Sequence, residues 1–316
     1  MPLLSRKRLL LAKLETTYGT DPTPVVGSDA ILVRNIEVTP LEVDTVNREL
    51  IRPFLGQADQ LLAQQRVLIN FEVELAGSGA AGTAPAYGPL LQACRCTETV
   101  VSSTSVTYAP NSDATPKSVT IYFNNDGVLH KATGCRGSFT LNAEVGAIPF
   151  ISFEMTGVFN APSDVSISAP TYANQAAPLV FKNGNSSSFQ VFSYSGAVQS
   201  LSFELANEVI YRELVGGTKS IDVVNRAPSG ECVIEATTIS TKDFFTAATG
   251  SSTGKLTFQN GSTAGNIAPL TAAQIAHVGP TYREPHRIQK LTFTSIPKHT
   301  PTSTQNTTSV QNHHPY

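Results

Sequence analysis

The triplet Arg-Glu-Leu occurs twice, as Arg48-Glu49-Leu50 and as Arg212-Glu213-Leu214, and each copy stands between two strand-like runs. Before the first copy, Ile31, Val33, Ile36, Val38, Leu41 and Val43 alternate imperfectly, with Pro40 marking a bulge or edge position. After it, Val67, Ile69, Phe71, Val73 and Leu75 alternate with polar residues in the period of a half-buried strand. The second copy follows Tyr194–Leu205 and precedes Glu231–Ile239, both strand-like. The copies are 212 − 48 = 164 residues apart, about half of the 316-residue chain. A helix-compatible stretch follows each unit, Tyr87–Thr97 and then Asp243–Ala248, and two further strands follow each helix. Lys255–Gly261 echoes Thr120–Asn125, and Gln289–Thr294 echoes Ile148–Glu154. The order strand, arm, strand, helix, strand, strand is therefore seen twice. It predicts a mainly β protein of two tandem β-sandwich or barrel domains, each with a short flanking helix and a long projecting loop.

The expected boundaries are an N-terminal arm over 1–27, a first domain over 28–160, a linker over 161–178, a second domain over 179–297 and a tail over 298–316. In the arm, Leu3, Leu4, Leu10, Leu11 and Leu14 are compatible with a short amphipathic turn, broken by Gly19, Pro22 and Pro24. Asn124-Asn125-Asp126-Gly127 is a strong hairpin signal between Ser118–Phe123 and Val128–Ala132. The linker is rich in Pro, Ser and Ala, and Val165-Ser166-Ile167 reads as a short strand crossing it. The tail is Thr, Ser, Gln, Asn, His and Pro, with almost nothing to bury.

The loop from Asp44 to Arg66 is too long and too apolar to be a solvated connection. Leu50, Ile51, Phe54, Leu55, Leu61 and Leu62 would be an aggregation liability if left bare, so they are expected to dock on another subunit. Arg48 and Glu49, with Arg212, Glu213 and Leu214 of the second unit (roughly 207–230), are expected to set register between subunits.

Nothing in the chain forms a catalytic constellation. There is no Gly-x-Ser-x-Gly elbow, no phosphate loop and no His-Glu-x-x-His. The six histidines have no carboxylate or Cys at ligand spacing, and His313-His314 falls in the polar tail. Glu72 and Glu74 share one strand face, which suits a solvated acidic wall as readily as a catalytic pair. Cys94, Cys96, Cys135 and Cys232 lack framework spacing and read as packed free thiols. No catalytic, cofactor or metal site is assigned. Charged residues are only 15 % of the chain and the net charge is −2, which gives no basic surface for wrapping nucleic acid. No apolar run is long enough to span a bilayer, and Lys13 and Glu15 cut short the apolar run after Arg6-Lys7-Arg8, so neither an export signal nor an anchor is expected. The absence of Trp argues against a sugar-stacking surface.

The run Glu15-Thr16-Thr17-Tyr18-Gly19-Thr20-Asp21-Pro22, with Ala30-Ile31-Leu32-Val33 and Thr45-Val46-Asn47-Arg48-Glu49-Leu50, resembles the major tail tube proteins of long, flexible-tailed bacteriophages, closest to the transposable Pseudomonas type. The likeness lies in the first quarter of the chain; the rest matches in style only. The resemblance implies β domains that close into rings around a β-barrel, rings that stack through loops and arms, and DNA passing through the lumen at ejection. It implies as partners further copies of the chain, the tape measure protein within the lumen, tip and terminator proteins at the ends, and DNA held without sequence-specific contact. It places the protein in the virion tail, after assembly in the host bacterial cytoplasm. An acidic lumen is part of that picture, with Glu42, Glu72 and Glu74 as its candidates. Two domains per chain imply trimeric rings of pseudo-sixfold symmetry. The alternatives are a hexameric ring carrying the second half as an outer decoration, or a receptor- or glycan-binding tail module.

Overall fold

The computed structural model describes the chain apart from residues 1, 2, 5, 113, 114, 251, 284–289, 298–307 and 313–316. In the first half it forms β1 (Arg8–Leu14), β2 (Ala30–Ile31), β3 (Arg34–Asn47), β4 (Gln60–Glu74), α1 (Gly88–Ala93), β5 (Cys96–Val101), β6 (Ser105–Pro110), β7 (Val119–Asn125), β8 (Val128–Glu144) and β9 (Phe150–Phe159). The two-residue β10 (Ser163–Asp164) follows. The second half forms β11 (Ser186–Val191), β12 (Val198–Glu204), β13 (Asn207–Arg212), β14 (Ser220–Arg226), β15 (Ser229–Glu235), α2 (Phe244–Thr249), β16 (Thr253–Asn260), β17 (Ala268–Arg283), β18 (Lys290–Pro297) and β19 (Thr308–Asn312). The protein is mainly β, as the alternation predicts.

Backbone pairing in the first half runs β3, β4, β9, β8, β7, β1, antiparallel throughout. In the second half it runs β12, β15, β18, β17, β16, β11, again antiparallel. Matched strand for strand, the two orders coincide. The helices match as well, α1 lying between β4 and β7 in sequence and α2 between β15 and β16. The halves are joined by backbone pairing: the far end of β8 takes β12 as its neighbour, from Glu144 opposite Ser200 to Thr140 opposite Glu204. One sheet therefore crosses from β3 through β9 and β12 to β17.

The core lies under this sheet. Ile69, Phe71 and Val73 of β4, Ile151, Phe153 and Met155 of β9, and Phe139, Leu141 and Ala143 of β8 are buried at alternate positions. Phe71 stacks on Phe153 at 5.6 Å, Phe139 lies 6.1 Å from Phe153, and Phe203 of β12 lies 6.4 Å from Phe139. These ring contacts cross from one half into the other. Leu90 and Leu91 of α1 are buried beneath the first half. Asp243 caps α2 by accepting from the backbone N–H groups of Phe245 and Thr246.

Several local expectations need correction. Asp44–Arg66 is not a loop. β3 and β4 stay paired out to Asn47 opposite Gln60, so the segment is a long, bulged hairpin whose unpaired tip is only 48–59. The Arg66–Asp44 ion pair (2.8 Å) bridges its two strands. Residues 8–14 are a strand rather than an amphipathic turn, because their apolar run serves two cores at once. Leu10 and Ala12 enter the main cluster, while Leu9 and Leu11 pack with Ala30, Tyr122 and Leu129. α1 ends at Ala93, where Arg95 at φ +63° turns the chain into β5. The expected strand at 165–167 lies slightly earlier, at Ser163–Asp164, against the start of β8. The Asn-Gly-type turn forms as read, with Asp126 at φ +48° and Gly127 at φ +103° joining β7 to β8. In the tail only 308–312 is described, as β19 between β17 and β6; His313-His314 and the remainder lie outside the described residues.

Candidate assembly surface

Two hairpins and one sheet face carry the residues singled out by sequence. The first hairpin ends in a bare tip. Ile51 and Leu55 are wholly exposed, and Leu50, Phe54, Leu61 and Leu62 are each about half exposed or more. The tip is held by a backbone bond from the Arg48 N–H to the Asp59 carbonyl (3.1 Å) and by weak surface electrostatics, with Arg48 and Arg52 reaching the Asp59 carboxylate at 4.0 and 3.4 Å. Glu49 is exposed beside them.

The second hairpin is the same construction, broken once. β12 stops at Glu204, Ala206 takes φ +48°, and β13 leaves at a new angle; Ala227 and Pro228 make the return break before β15. The backbone bond from Ala227 N–H to the Ala206 carbonyl (3.1 Å) keeps the strands together across the break. The bent-over β13/β14 ribbon lies on the first half. Asn207 donates through Nδ2 to the carbonyls of Cys94 and Gly137, both at 2.9 Å. Arg226 donates to the carbonyls of Arg95 and Asn111. From below, Arg136 donates to the Ile221 carbonyl at 2.6 Å, and the Tyr18 hydroxyl accepts from the Ile221 N–H at 2.6 Å.

The two triplets thus fall at the tipward end of the outgoing strand of each hairpin, yet they work differently. Arg212 is ion-paired to Asp222 at 3.1 Å, and Glu213 accepts from Tyr211 and meets Lys219 at 3.3 Å. The hydrogen bond from Tyr211, then Lys219, holds the Glu213 carboxyl below its ordinary value. Leu214 and Val215 at this tip are exposed.

Glu72 and Glu74 lie on the face of the sheet opposite the core. Glu72 is engaged by Arg34 at 2.8 Å and by Asn35, while Glu74 has no ion-pair partner among the described residues. Glu42 faces Arg66 near the arm, 3.8 Å away. Following the register across the strands shows what these three belong to. Asn70 sits opposite Glu154; Glu72 leads through Ser152 and Thr140 to Glu204; Glu74 leads through Phe150, Asn142 and Ser202 to Glu231. Glu37, Glu144 and Glu235 occupy the same face. Nine glutamates, Glu42 among them, share one face of a sheet that spans both halves, in a chain whose net charge is only −2. Neighbouring Ser, Thr and Asn separate them, so no two stand directly opposite each other, which limits the like-charge cost. Glu37, Glu144, Glu154, Glu204, Glu231 and Glu235 escaped the sequence reading. Their signal was present as carboxylates at the polar positions of alternating strands, but their common side depends on which strands become neighbours.

This face is rich in carboxylates, with Arg34 on Glu72 and Arg66 beside Glu42, and the hairpin tips leave apolar side chains exposed. A family model described as phage tail tube protein matches residues 5–306. The chain belongs to the phage tail tube protein family. No curated protein matches it. The family match extends far beyond the first quarter of the chain, where the resemblance lies. The family is a structural one. Among the described residues, no helix of this tail tube protein is long and apolar enough to cross a membrane.

Proposed function

We propose that the chain is the ring-forming subunit of a phage tail tube, with three copies per ring contributing six similar units. The observation that carries this reading is the strand order shared by the two halves, together with the β8–β12 pairing that makes them adjacent segments of one wall. In this reading 28–160 and 179–297 are the two units, 161–178 connects them, and 1–27 and 298–316 are the terminal segments. The acidic sheet face lines the bore. Glu72, Glu74 and Glu42, with the six glutamates beside them, keep DNA from adhering as it is ejected, the reverse of the charge arrangement that binds nucleic acid. The first hairpin tip, with Arg48, Glu49, Leu50, Ile51, Phe54 and Leu55, packs on a neighbouring subunit or ring and leaves water there. At the second hairpin the exposed Leu214 makes the equivalent contact, while Arg212 and Glu213, held by Asp222, Tyr211 and Lys219, shape the tip that presents it. The tape measure protein occupies the bore during assembly in the host cytoplasm, and terminator and tip proteins close the ends in the virion. No step of this role is catalytic.

A hexameric ring with the second half as outer decoration is disfavoured, because β12, β15, β18 and β17 continue the wall of the first half instead of standing outside it. Electron microscopy of the purified protein tests the proposal. Rings or tubes whose averages show three subunits and six similar densities are expected; six complete chains per ring, or only monomers at high concentration, would overturn it.

A further inference from the structure

We infer that the chain carries within itself a template for the contact between its copies: the β8–β12 seam repeats between subunits as a seam of β17 with β3 of the next copy. The inference rests on the ring reading above and specifies its register.

Two strand edges are left over once the halves are matched. β8 corresponds to β17 and β12 to β3. β8 and β12 are paired inside the chain; β17 and β3 are not. Among the described residues β3 pairs only with β4, and Thr281–Arg283 pair only with β18. Unpaired sheet edges of this length expose backbone donors and acceptors that seek a strand. A ring of copies joins these two edges with the geometry already present at β8–β12, and a closed ring leaves neither edge free.

The register follows from the matched rows. Val73, Ile151 and Leu141 lie side by side in the first half, and Ile234, Leu291 and Tyr282 lie side by side in the second. Three sequence coincidences fix this alignment: Glu74 with Glu235, Ile151-Ser152-Phe153 with Leu291-Thr292-Phe293, and Thr140 with Thr281. On the other side, Val38 stands opposite Ile69 as Phe203 stands opposite Gly230. The internal seam sets Phe203 against Leu141 and Glu204 against Thr140. Transferred, it sets Val38 against Tyr282 and Thr39 against Thr281 of the adjoining copy. Val38 is half-buried against the core and Tyr282 is about half exposed in the single chain, so both have area left to bury.

Paired cysteines test it. Directly opposite residues bring their Cβ atoms to about 4.5–5.5 Å, whereas a diagonal neighbour is roughly 7–8 Å away, and a disulfide needs about 3.5–4.5 Å with modest adjustment. The doubly substituted Thr39→Cys/Thr281→Cys protein, oxidised after assembly, is expected to run as a covalent trimer with a dimer intermediate on a denaturing, non-reducing gel. Thr39→Cys/Arg283→Cys, two residues out of register, is expected to cross-link at least tenfold less. Thr140→Cys/Glu204→Cys is the internal control and should close within one chain without raising its mass. Rings or tubes from the reduced Thr39→Cys/Thr281→Cys protein that give no intermolecular bond while the control closes would overturn the seam and leave the tube reading standing. Equal cross-linking in both registers would overturn the register. Failure of the unsubstituted protein to form rings would remove the tube reading and the seam with it.

Discussion

Arg136 of β8 lies 3.1 Å from Asp222 of β14, and this ion pair fastens the second hairpin to the first half of the chain. The guanidinium also lies 4.6 Å over the Tyr18 ring and donates to the carbonyls of Pro116, Lys117 and Ile221. It is almost wholly buried, and that burial draws its pKa down against the pull of Tyr18 and Asp222. Arg136→Ala would remove a buried donor from three carbonyls and leave Asp222 to Arg212 and the Ser220 hydroxyl alone. We expect a loss of about 3 kcal/mol in urea unfolding, in the range found when one partner of a buried pair is removed. Arg136→Lys should recover less than half of it, since an ammonium lacks the planar fork. A loss under about 0.5 kcal/mol for the alanine variant would contradict this account.

Glu15 is a second anchor. Its carboxylate accepts from the Ser118 and Thr120 hydroxyls (both 2.6 Å) and from the Gly19 and Gly134 N–H groups (both 2.7 Å). It ties the N-terminal segment to β7 and β8. Glu15→Ala strands four donors and is expected to cost at least about 3 kcal/mol. Glu15→Gln, which keeps one acceptor oxygen but turns an amide toward donors, should fall between the two. Equal stability of all three proteins by thermal denaturation would refute the role.

Asp21 supplies a pH dependence. Burial raises its pKa, but hydrogen bonds from Tyr122, from the Thr23 N–H and from Lys131 outweigh that and leave it lowered. A carboxylate depressed in the folded state stabilises fully above its unfolded pKa of about 3.9 and loses that contribution as the pH falls through the folded value. The stability gap between the natural protein and Asp21→Asn should therefore be widest above about pH 5 and narrow toward about pH 2. A gap that widens on acidification would show the sign to be wrong.

The four thiols should be silent. Cys94, Cys96, Cys135 and Cys232 are buried and unpaired. Burial pushes the Cys96 thiol up to about 12 and the other three upward as well. An aromatic disulfide reagent at about pH 8 attacks only thiolates within reach. It should titrate none of the four in the native protein and all four in denaturant; a single fast native thiol would contradict the packing.

The arm tip should matter to assembly and not to folding. Leu50, Phe54 and Leu55 bury little within the chain. The triple change Leu50→Ser, Phe54→Ser, Leu55→Ser should shift stability by less than about 0.5 kcal/mol, as surface changes do. It should leave a folded chain that forms no tubes under the microscope. Normal tubes from this variant would sink the proposed role of the tip.

Much of this architecture is legible in local patterns, because those patterns report what a single strand requires. The alternation of Val67–Leu75, the Asp126-Gly127 turn and the apolar helix at Leu90-Leu91 each express a short-range rule, and each is found where it was read. Glu72 and Glu74 were legible for the same reason: two carboxylates two apart on a strand must share a side. The arm misled as a loop because its polar run Gln57–Gln65 shows no alternation, and its pairing partner is supplied by β3. The Leu9–Ala12 run misled because a strand buried on both faces carries no period at all.

By itself, then, the sequence determined the strand class, the carboxylates that share the outer face of β4 and the apolar character of the arm tip. The tertiary structure decided three things: that β8 hands its far end to β12, that the second arm folds back onto Arg136 while the first stays extended, and that Glu144, Glu154 and Glu204 join Glu72 and Glu74 on one acidic wall. The reason is physical. A strand's own residues fix which of its side chains share a face, but neighbours, register and the sign of a surface's summed charge are properties of pairs of strands distant in sequence.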